Sequence, residues 1–338
     1  DLGGLSSVGA VIFEAWTAQL NLWQEQNPQP GMCAVHDFDA DGISAAALWS
    51  QATGGKLLAT NSRQHLPIPE EHYSAVVLLD LSCPDERFPW PQPTLVIDHH
   101  PPPKVPPPCL MFNTHDWTPP ICTSLMVHQL WWGNDSPRAW IAAVGALSDL
   151  GDGAPWPLLQ DQIARHGLAK FRQLVSLINS PHRVDGDCTQ AVEALLAHDK
   201  PAHFLRSKHP GVDYLRECQD RVRRRLNQAR NAQPQYWGQL ALVEFDSDCS
   251  IQAIIAQIWK NRLPDHFVVA ANRRSDQSIV QLSGRCRAPL NVIEGAAQFG
   301  LTLRGHPRSA GAGLSAKEWQ SVKERLCAQD THAVDGLD

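Results

Sequence analysis

The run Cys33-Ala34-Val35-His36-Asp37-Phe38-Asp39-Ala40-Asp41-Gly42-Ile43-Ser44-Ala45-Ala46-Ala47-Leu48-Trp49 decides how the chain is read. Its first three residues are apolar and read as a short, fully buried strand. A histidine and three aspartates then crowd into six positions, and 42–49 resumes as a helix rich in alanine. A strand that breaks into an acidic turn and then a helix is the start of a βαβ unit.

The same rhythm extends in both directions. Upstream, Val11, Ile12, Ala15, Trp16, Leu20 and Trp23 fall at helical spacing over 9–24, and Asn27-Pro28-Gln29-Pro30-Gly31 stops that helix. Downstream, 57–60, 75–81 and 94–97 are further apolar, β-branched strand candidates. The pattern predicts an α/β domain with a mainly parallel sheet covered by helices. Pro101-Pro102-Pro103 to Pro106-Pro107-Pro108 reads as a stiff polyproline-type loop. Helices are expected over 122–132, 137–148, 168–179 and 189–197.

Residues 213–233 form a long, polar, helix-favouring stretch with six arginines against three acids. It reads as a connector whose arginines form a solvated face or line a channel that tracks a phosphate backbone. Strands over 240–245, 267–271 and 278–282 and helices over 251–261, 290–299 and 316–326 follow. The organisation expected is a first domain over 1–205, a helical connector over 206–235, and a smaller α/β domain over 236–330.

Composition narrows the function. With 338 residues, 43% hydrophobic and 19% charged, the chain can bury two cores and is not a disordered protein. No apolar run approaches the ~18 residues of a membrane helix. The start, Asp1-Leu2-Gly3-Gly4-Leu5, has neither an initiator Met nor a signal-peptide order, which leaves room for residues upstream. Nine cysteines without a Cys-x-x-Cys pair point to reduced thiols in the cytoplasm, against a disulfide scaffold or a structural zinc site. A net charge of -6 excludes a protein that coats nucleic acid by bulk charge, and leaves a local basic groove open.

Four clusters carry the chemistry: Asp37, Asp39 and Asp41 after the first strand, Asp80 ending 76–79, Asp98-His99-His100 ending 95–97, and Asp149 in Gly145-Ala146-Leu147-Ser148-Asp149. In a parallel α/β sheet the strand carboxyl ends share one edge, so these groups converge. Carboxylates crowded there need cations, and oxygen ligands with an imidazole suit Mn²⁺ or Mg²⁺. Taken singly, a strand-end aspartate such as Asp80 also serves as a helix cap, and a histidine pair as a solvated loop. An EF-hand reading of Asp39-x-Asp41-Gly42 lacks its downstream glutamate.

Asp37-Phe38-Asp39-Ala40-Asp41-Gly42, Asp80, Asp98-His99-His100 and Asp149 together resemble the four motifs of the DHH phosphoesterases. Ser283-Gly284-Arg285 and Gly305-His306-Pro307-Arg308-Ser309-Ala310-Gly311 resemble the DHHA1 domain that follows in one branch, and the first motif is most similar to the RecJ-type exonucleases. The resemblance implies a DHH domain joined by a helix to a DHHA1 domain. It implies a two-manganese centre, Mg²⁺ being the alternative, held by Asp39, Asp41, Asp80, His99 and Asp149, with Asp80 bridging and Asp37 contributing to the first motif. It also implies that His100 stabilises charge on phosphorus or on the leaving group, and that Ser283, Arg285, Arg287, Gly305 and His306 bind substrate. The glycines and arginines of this second set also suit a tight turn and a solvated edge. Arg304 stands where the family shows the first of two glycines.

The function implied is metal-dependent phosphoester hydrolysis without a covalent intermediate, on single-stranded DNA or RNA. The alternative is the small-substrate branch acting on oligoribonucleotides, 3′-phosphoadenosine 5′-phosphate or cyclic dinucleotides. A non-catalytic DHH scaffold is disfavoured, because every matching ligand position keeps its acid or histidine.

Overall fold

A computed structural model describes residues 7–27, 31–60, 72–81, 90–103, 109–133 and 136–334. They fall into two compact units, one from 1–182 and 186–219, the other from 183–185 and 220–338.

In the first unit the elements run α1 (Ser7–Gln26), β1 (Met32–His36), α2 (Ala40–Thr53), β2 (Lys56–Ala59), β3 (Ala75–Leu79), β4 (Thr94–Asp98), β5 (Leu110–Asn113), α3 (Thr123–Trp131), α4 (Ala139–Leu150), α5 (Pro157–His166), α6 (Leu168–Ile178), α7 (Ser180–Arg183), α8 (Thr189–Leu196) and α9 (Pro201–Arg206). The five strands pair in parallel in the order β2-β1-β3-β4-β5. Every residue of β1, β3 and β4 is buried, so both sheet faces are covered, and this explains their unbroken apolar runs. Ala34, Val77 and Ile97 face the larger core with α2, α3 and α4; Cys33, Val35, Val76, Leu78 and Val96 face a smaller one with Leu81 and Trp90. The order reverses between β1 and β3, which opens a crevice at their carboxyl ends.

The mainly parallel α/β expectation is met. Strand β5 was not anticipated, because Leu110-Met111-Phe112-Asn113 is only four residues long and follows a proline tract. Pro101 to Pro103 have no regular structure, whereas Pro106 to Pro108 lie outside the described residues.

Helix α10 (Pro210–Ala229) begins in the first unit and ends in the second. Beyond it come β6 (Gln235–Trp237), β7 (Leu240–Phe245), α11 (Gln252–Arg262), β8 (Phe267–Arg274), β9 (Ile279–Arg285), α12 (Val292–Ala297), β10 (Arg304–His306), β11 (Ser309–Ser315) and α13 (Ala316–Val334). The sheet order is β10-β11-β9-β8-β7-β6, and only β7 and β8 pair in parallel. This unit is therefore α/β with a mixed sheet. Leu240, Leu242, Phe267, Val269 and Leu282 pack against Trp319, Val322 and Leu326 of α13.

Two polar features brace this unit. Arg221 and Arg225 bond Asp248 at 2.8 and 2.6 Å, so part of the arginine block is paired. Arg274 is fully buried and donates to Asp185, to Asp276 and, at 3.0 Å, to Ser250 Oγ.

Candidate metal centre

The acidic turn after β1 is held by the sheet and by the helix that follows it. The Asp37 amide donates to Leu79 O at 3.1 Å, which extends the β1–β3 ladder past the strand ends. Asp39 is the N-cap of α2, its Oδ1 accepting from the Asp41 and Gly42 amides at 3.1 and 3.2 Å. One oxygen thus caps the helix, as an aspartate in that place tends to do. Gly42 lets the turn close tightly: a β-carbon there would meet Asp37 Cβ at 2.8 Å. Asn179, just past α6, accepts the Ala40 amide at 2.8 Å and so fixes the start of α2.

Asp80 follows β3 with φ 62°, a left-handed backbone that non-glycine residues seldom adopt, and its amide bonds Ile97 O at 3.0 Å. Its side chain is fully buried. Oδ1 accepts the Thr123 hydroxyl at 2.9 Å, and Oδ2 has no partner. His99 follows β4 and aims Nε2 between Asp80 Oδ1 at 3.2 Å, Asp149 Oδ2 at 3.1 Å and Asp41 Oδ2 at 4.0 Å. None of these approaches has hydrogen-bond geometry. Asp41, buried in the first turn of α2, accepts the Thr123 and Ser124 amides at 2.8 and 3.1 Å.

Candidate ligand atoms therefore gather in three overlapping groups: Asp37, Asp39 and Asp80; Asp41, His99 and Asp149; and Asp80, His99 and His100. Every acid and histidine that the sequence singled out in this unit as a ligand or catalytic group lies in one of them. Asp80 and His99, in two groups each, sit where two adjacent cations would share ligands.

The electrostatics match a cation site. Burial first, then the Asp41 and Asp39 charges, push the Asp80 carboxyl well above its ordinary value. Asp149 rises to about 6, from burial and from the same two carboxylates, although the His99 contact opposes this. Burial alone would lower His99, but Asp149 and Asp80 outweigh it and push the imidazole up to about 12. A proton on Nε2 is thus the cation that balances these acids, and a divalent ion would take its place. Hard carboxylate oxygens with one or two imidazoles fit Mn²⁺ or Mg²⁺.

His100 is turned otherwise. Its Nδ1 bonds Asp98 Oδ1 at 2.7 Å, and its carbonyl accepts from Asn113 Nδ2 at 2.9 Å. Asp98 thereby orients the ring. Asp98, Thr123, Ser124 and Asn179 were not among the expected site residues. Only Asp98, inside the Asp-His-His motif, carried a sequence signal.

In the second unit, Arg285 and Arg287 line a cavity of about 470 Å³ together with Lys260, Arg308, Gln257 and Ser309. Burial lowers both Arg285 and Lys260, and for Lys260 the charges of Arg285 and Arg287 add to it. Lys260 and Arg308 carried no expectation of their own as substrate-binding residues. Ser283, Gly305 and His306 do not line the cavity: Ser283 is buried in β9, while Gly305 and His306 form exposed β10. Gly305 has φ 133°, and a β-carbon there would meet Ser309 O at 2.8 Å.

No family profile and no curated protein matches the chain. Solved structures do. An exonuclease RecJ bound to manganese is 19% identical with TM-score 0.63, over 92% of each chain. RecJ from Thermus thermophilus in complex with Mn²⁺ is 18% identical with TM-score 0.66, over 94% of this chain and 54% of that one. The pGpG-specific phosphodiesterase PggH from Vibrio cholerae is 14% identical with TM-score 0.52, over 89% of this chain and 99% of that one. The chain thus spans about half the length of the Thermus RecJ. The likeness bears out the motif-based resemblance at the level of fold.

Proposed function

We propose that this chain, which shares the fold of the RecJ proteins, is a divalent-metal-dependent phosphoesterase that removes nucleotides from single-stranded DNA or RNA. The observation that carries the reading is the gathering of Asp80 Oδ1, Asp149 Oδ2 and Asp41 Oδ2 around His99 Nε2 at 3.2, 3.1 and 4.0 Å, with the buried Asp80 Oδ2 left without a partner. Carboxylates buried this close together need cations, and the His99 proton alone offsets only part of their charge.

Asp37, Asp39 and Asp80 would hold one ion and Asp41, Asp80, His99 and Asp149 the other, Mn²⁺ first and Mg²⁺ as the alternative. When bound, the pair supplies Lewis-acid chemistry, neutralising phosphoryl charge and acidifying water. The protein's own part is positional. The sheet edge and the start of α2 hold Asp37, Asp41 and Asp80 buried, and His100, oriented by Asp98, presents Nε2 to phosphoryl charge or to a leaving oxygen. Arg285 and Arg287, with Lys260 and Arg308, bind substrate phosphates, guanidinium groups being suited to bidentate contact. Ser283, Gly305 and His306 are assigned to substrate by motif.

No helix among the described residues is long and apolar enough to cross a membrane. The eight cysteines described are free, which supports a cytoplasmic setting. Likeness to a pGpG-specific phosphodiesterase over nearly all of that chain supports a second reading, hydrolysis of short nucleotides.

Purified protein with Mn²⁺, given 5′-labelled single-stranded DNA, short RNA and cyclic dinucleotides, tests both. Laddering on long strands supports the first reading, and activity confined to the shortest substrates supports the second. Asp80→Ala and His99→Ala should each abolish turnover, and undiminished activity in either removes the metal-centre assignment.

A further inference from the structure

We propose that Thr123 is a positioning residue that sets two carboxylates of the metal centre at once. The inference rests on the metal-centre reading above. Thr123 opens α3, and two of its groups donate to different acids: its amide to Asp41 Oδ2 at 2.8 Å, its hydroxyl to Asp80 Oδ1 at 2.9 Å. The Ser124 amide completes the hold on Asp41 through Oδ1 at 3.1 Å. Asp41 comes from the first turn of α2 and Asp80 from just past the end of β3, and neither is near Thr123 in sequence. The first turn of α3 therefore fixes both from a single piece of backbone.

The consequence is a choice of oxygen. A carboxylate offers two oxygens with two lone pairs each. With one lone pair of Oδ1 engaged by the Thr123 hydroxyl, Asp80 keeps the other towards His99 Nε2, 3.2 Å away, and both lone pairs of the buried, unpartnered Oδ2 for cations. Asp41 accepts one amide on each oxygen, so its plane is fixed while a lone pair on each remains. The helix N-terminus also favours a negative charge at this place. All three residues are fully buried, so water cannot replace a lost donor. Outer partners of this kind commonly govern metal affinity by about 10- to 100-fold.

The Ser124 side chain is not part of the device, since its hydroxyl donates to Ala142 O at 3.2 Å. The purified protein is titrated with MnCl₂, and free Mn²⁺ is read by its electron paramagnetic resonance signal. Thr123→Val, which keeps the shape and removes the hydroxyl, should weaken binding about 10- to 100-fold. Thr123→Ser should restore affinity to near wild type. Thermal melts of the metal-free variants report folding separately.

Wild-type affinity in Thr123→Val, or a loss that Thr123→Ser does not recover, overturns the inference. A crystal structure of the manganese-loaded wild type gives a readout independent of any variant: the hydroxyl on Asp80 supports the proposal, and a hydroxyl turned away overturns it. If the wild type takes up no Mn²⁺, the metal-centre reading falls first and this inference with it. If the wild type binds and Thr123→Val binds equally well, only the role of Thr123 is lost.

Discussion

Gly145 on α4 lies against Asp41 so closely that a β-carbon added to it would stand 2.6 Å from Asp41 Oδ1. The same atom would strike the Ser124 hydroxyl, so α3 and α4 meet at the candidate metal centre with no space between them. Gly145→Ala should therefore displace Asp41 or part the two helices. We expect Mn²⁺ affinity to fall by at least about tenfold and the metal-free protein to lose about 1–3 kcal/mol. Manganese titration and urea unfolding measure the two; wild-type values in both would show that the helices can separate freely.

Proton release should accompany metal uptake. In the metal-free protein His99 is pushed up to about 12 and holds its proton at neutral pH, and Asp149, raised to about 6, is protonated below that. Ligands bind metal deprotonated, so loading releases at least about one proton at pH 8 and more below pH 6. Affinity should rise with pH. Calorimetry in buffers of different ionisation enthalpy reads the number directly, and an enthalpy independent of buffer would refute it. Without metal, the raised His99 pKa contributes stability that is full below its unfolded value near 6.5 and is lost only as pH climbs towards 12.

These groups were legible in the sequence because each stands at a strand end or in a helix that reaches it. The parallel sheet followed from the buried runs around Val35, Val77 and Val96. What stayed hidden depends on distant partners. Thr123 meets Asp41 across 82 positions, and nothing in Thr123-Ser124-Leu125 marks it as a neighbour of acids. Gly145 looks like any helix glycine until α3 is laid against it. The β10–β11 hairpin reads as a glycine-rich turn, since β11 takes its strand geometry from pairing with β9. Lys260 and Arg308 are lone cations in the sequence, and only folding brings them to one cavity with Arg285 and Arg287.

That cationic cavity should govern affinity for substrate, not the chemical step. Lys260→Ala and Arg308→Ala are each expected to raise KM for an anionic substrate with little change in kcat. Each should also reduce the slope of log affinity against log salt by about 1. Binding isotherms at several NaCl concentrations test this; an unchanged slope in both variants would assign these cations to structure alone.

Arg274 serves stability. Burial would lower its pKa, but Asp276 and Asp185 more than offset this and hold it charged. Its side chain is 0% exposed, while Asp185 and Asp276 retain 49% and 42% of theirs, so solvent softens the loss of their partner. Arg274→Leu should destabilise the protein by about 2–3 kcal/mol, less than the loss of one member of a fully buried pair. A lower urea midpoint at constant slope is the expected result, and an unchanged midpoint would contradict it.

The left-handed backbone at Asp80 restricts what can stand there. Glycine and asparagine tolerate such a conformation, whereas β-branched side chains do not. Asparagine would keep the turn, the volume and one oxygen while giving up the negative charge. Asp80→Asn is thus the natural inactive trap for catching an uncleaved substrate in a crystal, and a selection for altered metal preference would do better to vary Asp149 than this cramped position.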